Sequence, residues 1–150
     1  MFKNVLLGFS LLCGFLLPNH INAFSTQIPA VYSWETGDSD ASAIVMPPLP
    51  DGYTRGEIKS VAINAAGNAV MVGGTYNADF SVYIPLAYRL DNGATEATQI
   101  TADLPAENPT GFLNSVAIND DGNAVMVGHV YNAEGTQIPL AYSWTAGDAE

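Results

Sequence analysis

Apolar and polar residues alternate along much of the chain with the two-residue period that is typical of β-strands. The clearest example is 60–73, Ser-Val-Ala-Ile-Asn-Ala-Ala-Gly-Asn-Ala-Val-Met-Val-Gly, where two alternating runs flank Asn-Ala-Ala-Gly. Asparagine at the first position and glycine at the last fit a type I turn followed by a left-handed residue, so the segment predicts a β-hairpin. Both faces of its strands are apolar or small, which predicts a sheet covered on both sides, with Ile63 and Val70 in the core.

The hairpin belongs to an internal repeat. It returns 55 residues later at 115–128, with Asp120 and Asp121 in place of the two turn alanines, and its Ile118 and Val125 are expected in the core as well. A second motif, Ile-Pro followed by alternating large and small residues that include a tyrosine, predicts a strand with one large-residue face and one small-residue face. Its proline has no N–H to donate, which predicts a position at a sheet edge. The three copies of this strand motif lie at 26–34, 83–90 and 136–144.

Two further segments lie between each copy of the strand motif and the next hairpin. The first ends in Leu-Pro and predicts a weaker strand, at 43–50 and again at 98–105. The second predicts a loop, at 51–59 and 106–114, and its two copies differ almost everywhere apart from one matching glycine. Loops that vary on a constant scaffold are where binding specificity usually lies, although unconstrained loops also simply drift.

These elements add up to four antiparallel strands in each unit of about 55 residues. A sheet that is apolar on both faces must stack on further copies of itself, and a four-stranded sheet stacked radially is a propeller blade. The sequence therefore predicts an all-β fold of two four-stranded antiparallel propeller-like blades plus one extra N-terminal edge strand, after a signal peptide. The predicted β-repeat domain covers 24–150, with the extra strand at 26–34, repeat 1 at about 43–90 and repeat 2 at about 98–144.

Residues 1–23 have the composition of a secretory signal peptide. Lys3 gives a positive start, 5–17 is an apolar run, and the segment ends in the small residue Ala23, after which we predict cleavage. A membrane anchor is the alternative, but the apolar run is shorter than the roughly 20 residues that a spanning helix needs. Lipidation at Cys13 is a second alternative, which the bulky residue before the cysteine disfavours. The sequence therefore predicts an exported protein.

Removal of the signal peptide would leave a chain without cysteine, so its stability must come from a packed core rather than from disulfides. That chain would carry 15 acidic residues against 3 basic ones, Arg55, Lys59 and Arg89, for a net charge of −12. Such a charge repels nucleic acid and anionic membrane surfaces and favours solubility or a cationic partner. No later apolar stretch is long enough for a membrane span, so we expect neither nucleic-acid binding nor a span.

The combination of Ala-Tyr-Ser-Trp, Leu-Pro and Ser-Val-Ala-Ile-Asn-Asp-Asp-Gly-Asn-Ala-Val-Met-Val-Gly resembles the HAF-type extracellular repeat. The resemblance extends over nearly all of 28–147. It implies a secreted, periplasmic or envelope protein of a bacterium, built from propeller-like blades, and it brings no established catalytic residues. Members usually have many repeats, whereas this chain has two complete ones and one extra edge strand.

Few residues suggest a recognisable chemistry. The turn at 119–123, Asn-Asp-Asp-Gly-Asn, offers closely spaced oxygens of the kind that bind calcium. Alanines replace both aspartates in the sister turn at 64–68, so a plain structural turn is favoured. His129 is the only histidine after residue 23, too few for a zinc site, and a Ser-His-Asp triad would lack its Gly-x-Ser-x-Gly motif. We therefore predict no catalytic, cofactor-binding or metal-binding residues.

Carboxylates and aromatic residues are the remaining candidates. A carboxylate pair for glycoside hydrolysis would have to come from the predicted loops, which contain Asp51, Glu57 and Glu107, and nothing selects one pair. The aromatic residues that recur with the strand motif are expected in the core rather than on a ligand-binding surface. They are Tyr32, Trp34, Tyr88, Tyr142 and Trp144.

The leading hypothesis is a non-enzymatic binding or interaction module, with a protein or carbohydrate ligand at the loops 51–59 and 106–114. The alternatives are an extracellular hydrolase that uses acidic residues at those loops, and a shortened relic of a longer repeat protein. We also expect self-association, because two blades cover only the faces that they share and leave two apolar faces open. Two chains paired symmetrically would supply four blades, and the strand at 26–34 would be free to exchange between them.

Overall fold

The computed structural model describes residues 3–8, 26–35 and 39–147. These ranges consist of β-strands joined by turns and contain no helix. The strands are β1 (Lys3–Gly8), β2 (Ala30–Glu35), β3 (Ser42–Ile44), β4 (Tyr53–Ile63), β5 (Ala69–Asn77), β6 (Tyr83–Leu90), β7 (Thr98–Ile100), β8 (Thr110–Ile118), β9 (Ala124–Tyr131) and β10 (Gln137–Trp144). The all-β class predicted from the alternating pattern is therefore confirmed.

The strands form three sheets, each paired in the antiparallel sense. The first sheet has the order β1-β2-β3, the second sheet β4-β5-β6-β7, and the third sheet β10-β9-β8. Two isolated parallel bridges, Gln27 with Arg55 and Val45 with Glu96, connect the flanks of the first sheet to the second. Bridges thus connect the first and second sheets, and the packing of their faces holds all three sheets together.

The two predicted hairpins are β4-β5 and β8-β9. The Gly67 N–H donates to the Asn64 carbonyl at 3.0 Å, and the glycine has a left-handed φ of 85°. The Asn64 side-chain oxygen accepts the N–H of Asn68 at 3.0 Å, which closes the turn from the inside. Gly122, with a φ of 88°, and Asn119 repeat this geometry in the second hairpin. The predicted left-handed glycine is confirmed in both turns.

The second sheet has two faces that differ in residue size. Leu86 and Tyr88 of β6 lie on its large-residue face together with Met71, which is opposite Tyr88 on β5. Ala87 lies on the small-residue face, opposite Val72. All five side chains are fully buried, so this sheet is covered on both sides, as its apolar strands predict.

The first sheet covers the large-residue face of the second. Val31 of β2 is paired with Ile44 of β3, and both are buried in one core cluster with Met71, Leu86 and Tyr88. Val31 occupies a small-residue position of the strand motif, the one filled by alanine in the other two copies. The small-residue face of the first sheet therefore packs on the large-residue face of the second.

The third sheet covers the small-residue face of the second and repeats the same arrangement. Leu113 and Met126 share a core cluster with Val70 and Ala87, and Leu140 of β10 packs against it. The large-residue face of the third sheet therefore meets the small-residue face of the second. Ile63 and Ile118, expected in the core, are partly buried against the first and second of these clusters.

The division of the strands among sheets differs from the predicted blades. β7 pairs with β6, with Ala87 opposite Ile100, and so completes the second sheet, although 98–105 was assigned to repeat 2. β7 follows β6 after a short turn, and elements adjacent in sequence commonly pair. In the described residues only the second sheet has four strands. The predicted extra edge strand at 26–34 corresponds to β2, which pairs with β1 on one side and β3 on the other, so the edge prediction is wrong for this strand.

Pro85 does not lie in an edge strand, so the edge prediction is wrong for β6. This strand is paired with β5 on one side and with β7 on the other. Pairing with β7 extends only from Ala87 to Arg89. Pro85 lies beyond the end of β7, where β7 offers no carbonyl that would need the N–H that proline lacks.

Most of the predicted loops 51–59 and 106–114 is strand, because β4 and β8 begin within them. The matching glycines, Gly56 and Gly111, lie inside these strands. A Cβ on Gly111 would lie 2.6 Å from the carbonyl oxygen of His129, and one on Gly56 would lie 2.8 Å from a leucine methyl group. Close packing, not loop conformation, explains why both positions are glycine.

Two predictions near the outer faces have different outcomes. Val125 is not a core residue: it is 53% exposed, whereas its counterpart Val70 is 1% exposed, because no element of the described chain covers that face of the third sheet.

β1 lies within the predicted signal peptide and pairs with β2. The predicted cleavage site at Ala23 and the alternative lipidation site at Cys13 lie outside the described residues, so the signal peptide stays a prediction.

Candidate functional site: an aromatic patch between two sheets

An aromatic patch lies where β5 and β6 of the second sheet meet β8 and β9 of the third. The rings of Tyr83 and Phe112 stack with centroids 4.6 Å apart and planes 14° apart. Tyr76 is tilted against Phe112 at 5.2 Å, and Tyr131 meets Tyr83 edge-on at 5.9 Å. Such pairs contribute roughly 0.5–1.5 kcal/mol each beyond their buried area, so the patch also joins the two sheets. Its members are Tyr76, Phe80, Tyr83, Phe112, His129 and Tyr131.

The patch exists because a large residue in one repeat meets a glycine in the other. A Cβ on Gly74 would lie 2.0 Å from Phe112 Cδ1, far inside van der Waals contact, so the ring needs glycine beneath it. The counterparts of these two residues, 55 positions away, are His129 and Glu57. The two repeats have therefore diverged in complementary directions at this contact.

A β-bulge in each repeat carries a polar residue into the patch. The pairing of β4 with β5 and that of β8 with β9 shift at equivalent positions, and the residues left out are Lys59 and Asn114. Lys59 Nζ lies 4.4 Å from the centroid of the Phe112 ring, and Asn114 Nδ2 lies 2.9 Å from His129 Nδ1. Bulges redirect side chains and are frequent next to functional sites.

Two basic residues concentrate positive charge at the patch in a chain whose net charge is −11. Arg55 Cζ lies 5.6 Å from the centroid of the Phe80 ring. Glu57 Oε1 is 3.2 Å from Lys59 Nζ and accepts the Tyr76 hydroxyl at 3.1 Å. Burial and, secondarily, the Glu57 carboxylate raise the pKa of Tyr76 to about 12, so this hydroxyl remains a donor.

His129 presents a neutral ring. The Asn114 amide nitrogen can only donate, so His129 Nδ1 accepts and stays unprotonated while this hydrogen bond is made. Burial, and then the positive charge of Lys59, hold the pKa of His129 below its usual value. The ring also meets Tyr131 edge-on at 5.1 Å. At neutral pH the imidazole is therefore uncharged and adds to the aromatic surface of the patch, not to its positive charge.

Phe80 is held in an unfavourable backbone conformation at the rim of the patch. Its φ is 60°, in the left-handed region that bulky residues rarely adopt, and it is 51% exposed. The corresponding turn of the other repeat has Gly135 at this position, with a φ of 76°. In both turns the residue donates its N–H to an asparagine carbonyl three positions earlier. A half-exposed ring gains little packing energy to offset the strain of its backbone. Backbone strain of this kind is typical of functional sites.

The acidic residues considered for a hydrolase are not gathered at the patch. Glu57 lies there, but it is engaged with Lys59 and Tyr76. Asp51 and Glu107 are exposed. Nowhere in the described ranges do three or more His, Cys, Asp or Glu side chains come together as a metal site would require.

The two asparagine side chains of the turn considered for calcium form hydrogen bonds within the fold. Asn119 Oδ1 accepts the N–H of Asn123 at 2.8 Å, and Asn123 Oδ1 accepts the N–H of Ala146 at 2.9 Å. The two asparagines thus close the hairpin turn and tie it to the turn that follows β10. Asp120 and Asp121 are exposed at the tip, which supports the interpretation of a structural turn.

The aromatic residues of the strand motif differ in burial. Tyr88 is fully buried and its hydroxyl has no hydrogen-bond partner within the described chain, while burial raises its pKa to about 12. Tyr142 and Trp144 pack against the second core cluster. Tyr32 is 38% exposed on the outer face of the first sheet, so the core prediction is wrong for it. The side chain of Trp34 lies outside the described part of the chain.

The comparisons leave family membership open. No protein-family model matches the sequence, and a search of curated proteins finds no match. The resemblance to the HAF-type repeat therefore stays a prediction. No helix long and apolar enough to cross a membrane occurs in the part of the chain that the structure describes.

Sequence reasoning missed the patch as a unit. The candidate residues did not include Tyr76 and Tyr131, although an aromatic residue that recurs before Asn-Ala at repeat spacing is a usable signal. Phe112 has no aromatic counterpart, since Glu57 is at its position in the other repeat. Lys59 and Asn114 reach the patch through bulges, which the alternating pattern does not reveal.

Proposed function

We propose that this chain is an exported bacterial β-repeat protein that acts as a non-enzymatic binding module through the aromatic patch. The observation that carries the proposal is the strained, exposed Phe80 beside a ring cluster that spans two sheets. Binding sites typically combine aromatic side chains with a few placed polar groups. The polar groups here are the amide of Asn114 and the charged side chains of Arg55, Glu57 and Lys59.

A glycan is the ligand class that fits this surface best. Sugars present flat C–H faces, which pack on aromatic rings, and hydroxyl groups at the edge of the ring, which pair with amide and charged side chains. The mixed charges of Glu57 and Lys59, 3.2 Å apart, suit a neutral or weakly charged ligand better than a strongly charged one. Protein, the other ligand class considered for 51–59 and 106–114, is the competing outcome.

The proposed architecture is a stack of propeller-like blades of the HAF-type kind. Its support is that the small-residue face of one sheet meets the large-residue face of the next twice in the chain. Mass spectrometry of the product released by bacterial cells tests export. A mature product beginning near residue 24 is expected, and a product that retains Met1 contradicts export by cleavage.

Affinity electrophoresis through gels containing soluble glucan, xylan or peptidoglycan fragments tests the ligand class. Phe80→Gly is the informative variant, because it places the sister turn's residue at this position. It removes the ring and also relieves the left-handed strain, so binding should weaken while stability stays level or rises by about 1 kcal/mol. Tyr32→Ala, an exposed tyrosine outside the patch, is the matched control and should bind normally.

The proposal fails in two distinguishable ways. Normal mobility of the parent protein in every gel contradicts a glycan ligand. Retarded mobility that Phe80→Gly leaves unchanged means that a glycan binds elsewhere on the surface.

A further inference from the structure

The outer face of the third sheet exposes residues whose counterparts in the second sheet are buried. Val125 and Val127 are 53% and 42% exposed. Val70 and Val72, which are 55 residues earlier, are 1% and 0% exposed. The alanine of the strand motif shows the same contrast between β10 and β6. Equivalent residues therefore line a buried seam in one sheet and an open surface in the next.

The outer face of the first sheet is also exposed, but it carries the large-residue positions of the strand motif. Tyr32 has a large-residue position of the strand motif, and its counterpart Tyr88 is fully buried against the first sheet. Ile28, a large-residue position of the same motif that lies two residues before β2, is 48% exposed. Among the described residues, nothing thus covers the large-residue face at one end of the stack or the small-residue face at the other.

We propose that the small-residue face of the third sheet docks on the large-residue face of the first sheet in a second copy of this chain. This pairing of faces is made twice inside the chain, between the first and second sheets and between the second and third. A second copy of the chain is therefore the expected partner, because its first sheet offers the same residue types that already pack together between neighbouring sheets within one chain. The inference does not depend on the aromatic patch being a ligand site.

The contact between copies is head-to-tail, because the two open faces differ. Two copies close into a ring if both contacts form about one two-fold axis, and otherwise the contact propagates to further copies. Either result differs from a pairing of like faces, in which the third sheets of two copies would meet each other.

A groove of about 340 Å³ on the third sheet marks one corner of the proposed contact. Its lining includes Ala117, Asn119, Val125, Ser143 and Trp144. The equivalent corner of the second sheet is filled by the third sheet, where Asn64 Nδ2 donates to the Asn119 carbonyl at 3.2 Å. Arg89, which has the position of Ser143, lies there 5.9 Å from the ring of Trp144. The groove is thus an open copy of a corner that is occupied within the chain.

Sedimentation velocity of the purified protein over a wide concentration range tests the proposal. The parent should form species larger than a monomer as its concentration rises. Val127→Asp and Tyr32→Asp should each weaken the association by about tenfold or more, because each buries an unpaired carboxylate in an apolar contact. Ala65→Asp is the matched control: it adds the same charge at an exposed turn where the sister turn carries Asp120, and it should associate like the parent.

A mixture of the two variants separates head-to-tail contact from the alternatives. Val127→Asp retains an intact first-sheet face and Tyr32→Asp an intact third-sheet face, so the mixture should form a 1:1 dimer that neither variant forms alone. Val127→Thr, which keeps the β-branched shape, replaces Val127→Asp if that variant fails to fold.

Three results would overturn the proposal. A parent that remains monomeric at every concentration excludes the contact. Association that Tyr32→Asp leaves unchanged means that like faces pair. Variants that associate no better together than apart mean that the two open faces do not meet.

Discussion

The contact between Gly74 and Phe112 gives the sharpest test of how the second and third sheets are joined. In Gly74→Ala the new Cβ would lie 2.0 Å from Phe112 Cδ1, whereas carbon atoms in contact are normally about 3.5–4.0 Å apart. The ring must move by roughly 1.5 Å to restore that distance. Movement of this size disturbs its stack with Tyr83, whose centroid is 4.6 Å away.

The expected cost follows from three contributions. Overpacking costs about 1–3 kcal/mol, and loss of the stacked pair adds roughly 0.5–1.5 kcal/mol. Alanine offsets about 0.5–1 kcal/mol of this, because glycine is the less favourable residue inside a strand. We therefore expect Gly74→Ala to lower the free energy of unfolding by about 0.5–4 kcal/mol, with a central value of about 2 kcal/mol, measured by urea denaturation with circular dichroism.

A double-mutant cycle identifies the cause. Phe112→Val removes the ring and costs about 2 kcal/mol by itself. In that background the ring no longer overlaps the alanine at position 74, and the remaining close atom, the Ile84 carbonyl oxygen at 3.3 Å, requires only a small shift. Most of the cost should therefore disappear, giving a coupling energy of at least about 1 kcal/mol. If Gly74→Ala costs the same with and without the Phe112 ring, the two residues do not form the joint between the sheets.

Three further predictions concern single side chains. Tyr88→Phe should leave the free energy of unfolding unchanged or raise it by about 1 kcal/mol, because it removes a buried hydroxyl that has no hydrogen-bond partner in the described chain; a clear loss of stability in urea would show that the hydroxyl is paired. Replacing Asp120 and Asp121 by alanine should not shift the melting temperature with or without calcium, whereas Asn119→Ala should cost about 1 kcal/mol because its side chain closes the turn; a calcium-dependent rise lost with the aspartates would reverse this interpretation. Burial and a nearby lysine hold the folded pKa of His129 below 6.5. The stability that the neutral ring contributes is therefore present above pH 6.5 and is lost as the pH falls through the folded pKa. The urea midpoint of His129→Gln should vary less with pH over this acidic range, and a pH profile identical to that of the parent would exclude the linkage.

The alternating pattern was sufficient for the local structure. Asn-x-x-Gly-Asn predicts hairpins at 64–68 and 119–123, and both are present with left-handed glycines. The strand motif predicts β2, β6 and β10 because large and small residues alternate without interruption. Local turn chemistry and a strict two-residue period are properties of short segments, and the sequence displays them directly.

Features that depend on neighbouring strands were harder to predict. Gly56 and Gly111 looked like loop residues, because nothing in one sequence says that a Cβ at either position would lie within 3 Å of an atom from another segment of the chain. Pro85 looked like an edge residue, because the length of β7 decides where its missing N–H falls. Val125 has the same sequence environment as Val70, and only the presence or absence of a covering sheet separates them.

The aromatic patch was beyond the pattern for a related reason. Its rings come from strands of two different sheets, and Lys59 and Asn114 join it through bulges that shift the pairing by one residue. Phe112 and Gly74 differ from their repeat counterparts, so a comparison of the two repeats shows only that these positions differ and not that the two residues are in contact. Complementary divergence at one position of contact is a signal that can be sought once the packing is known.

The way in which β7 completes the second sheet has a consequence for how such a gene can change in length. β7 belongs in sequence to the unit that supplies the third sheet, yet it pairs with β6 of the preceding unit. Hairpin, strand motif and short strand therefore follow one another in a cyclic order with no privileged starting point. A tandem duplication of about 55 residues adds one complete sheet wherever its end points fall, since every permutation of the unit supplies the same set of strands. Recombination between such repeats needs to preserve the length of the insert, and not its boundaries.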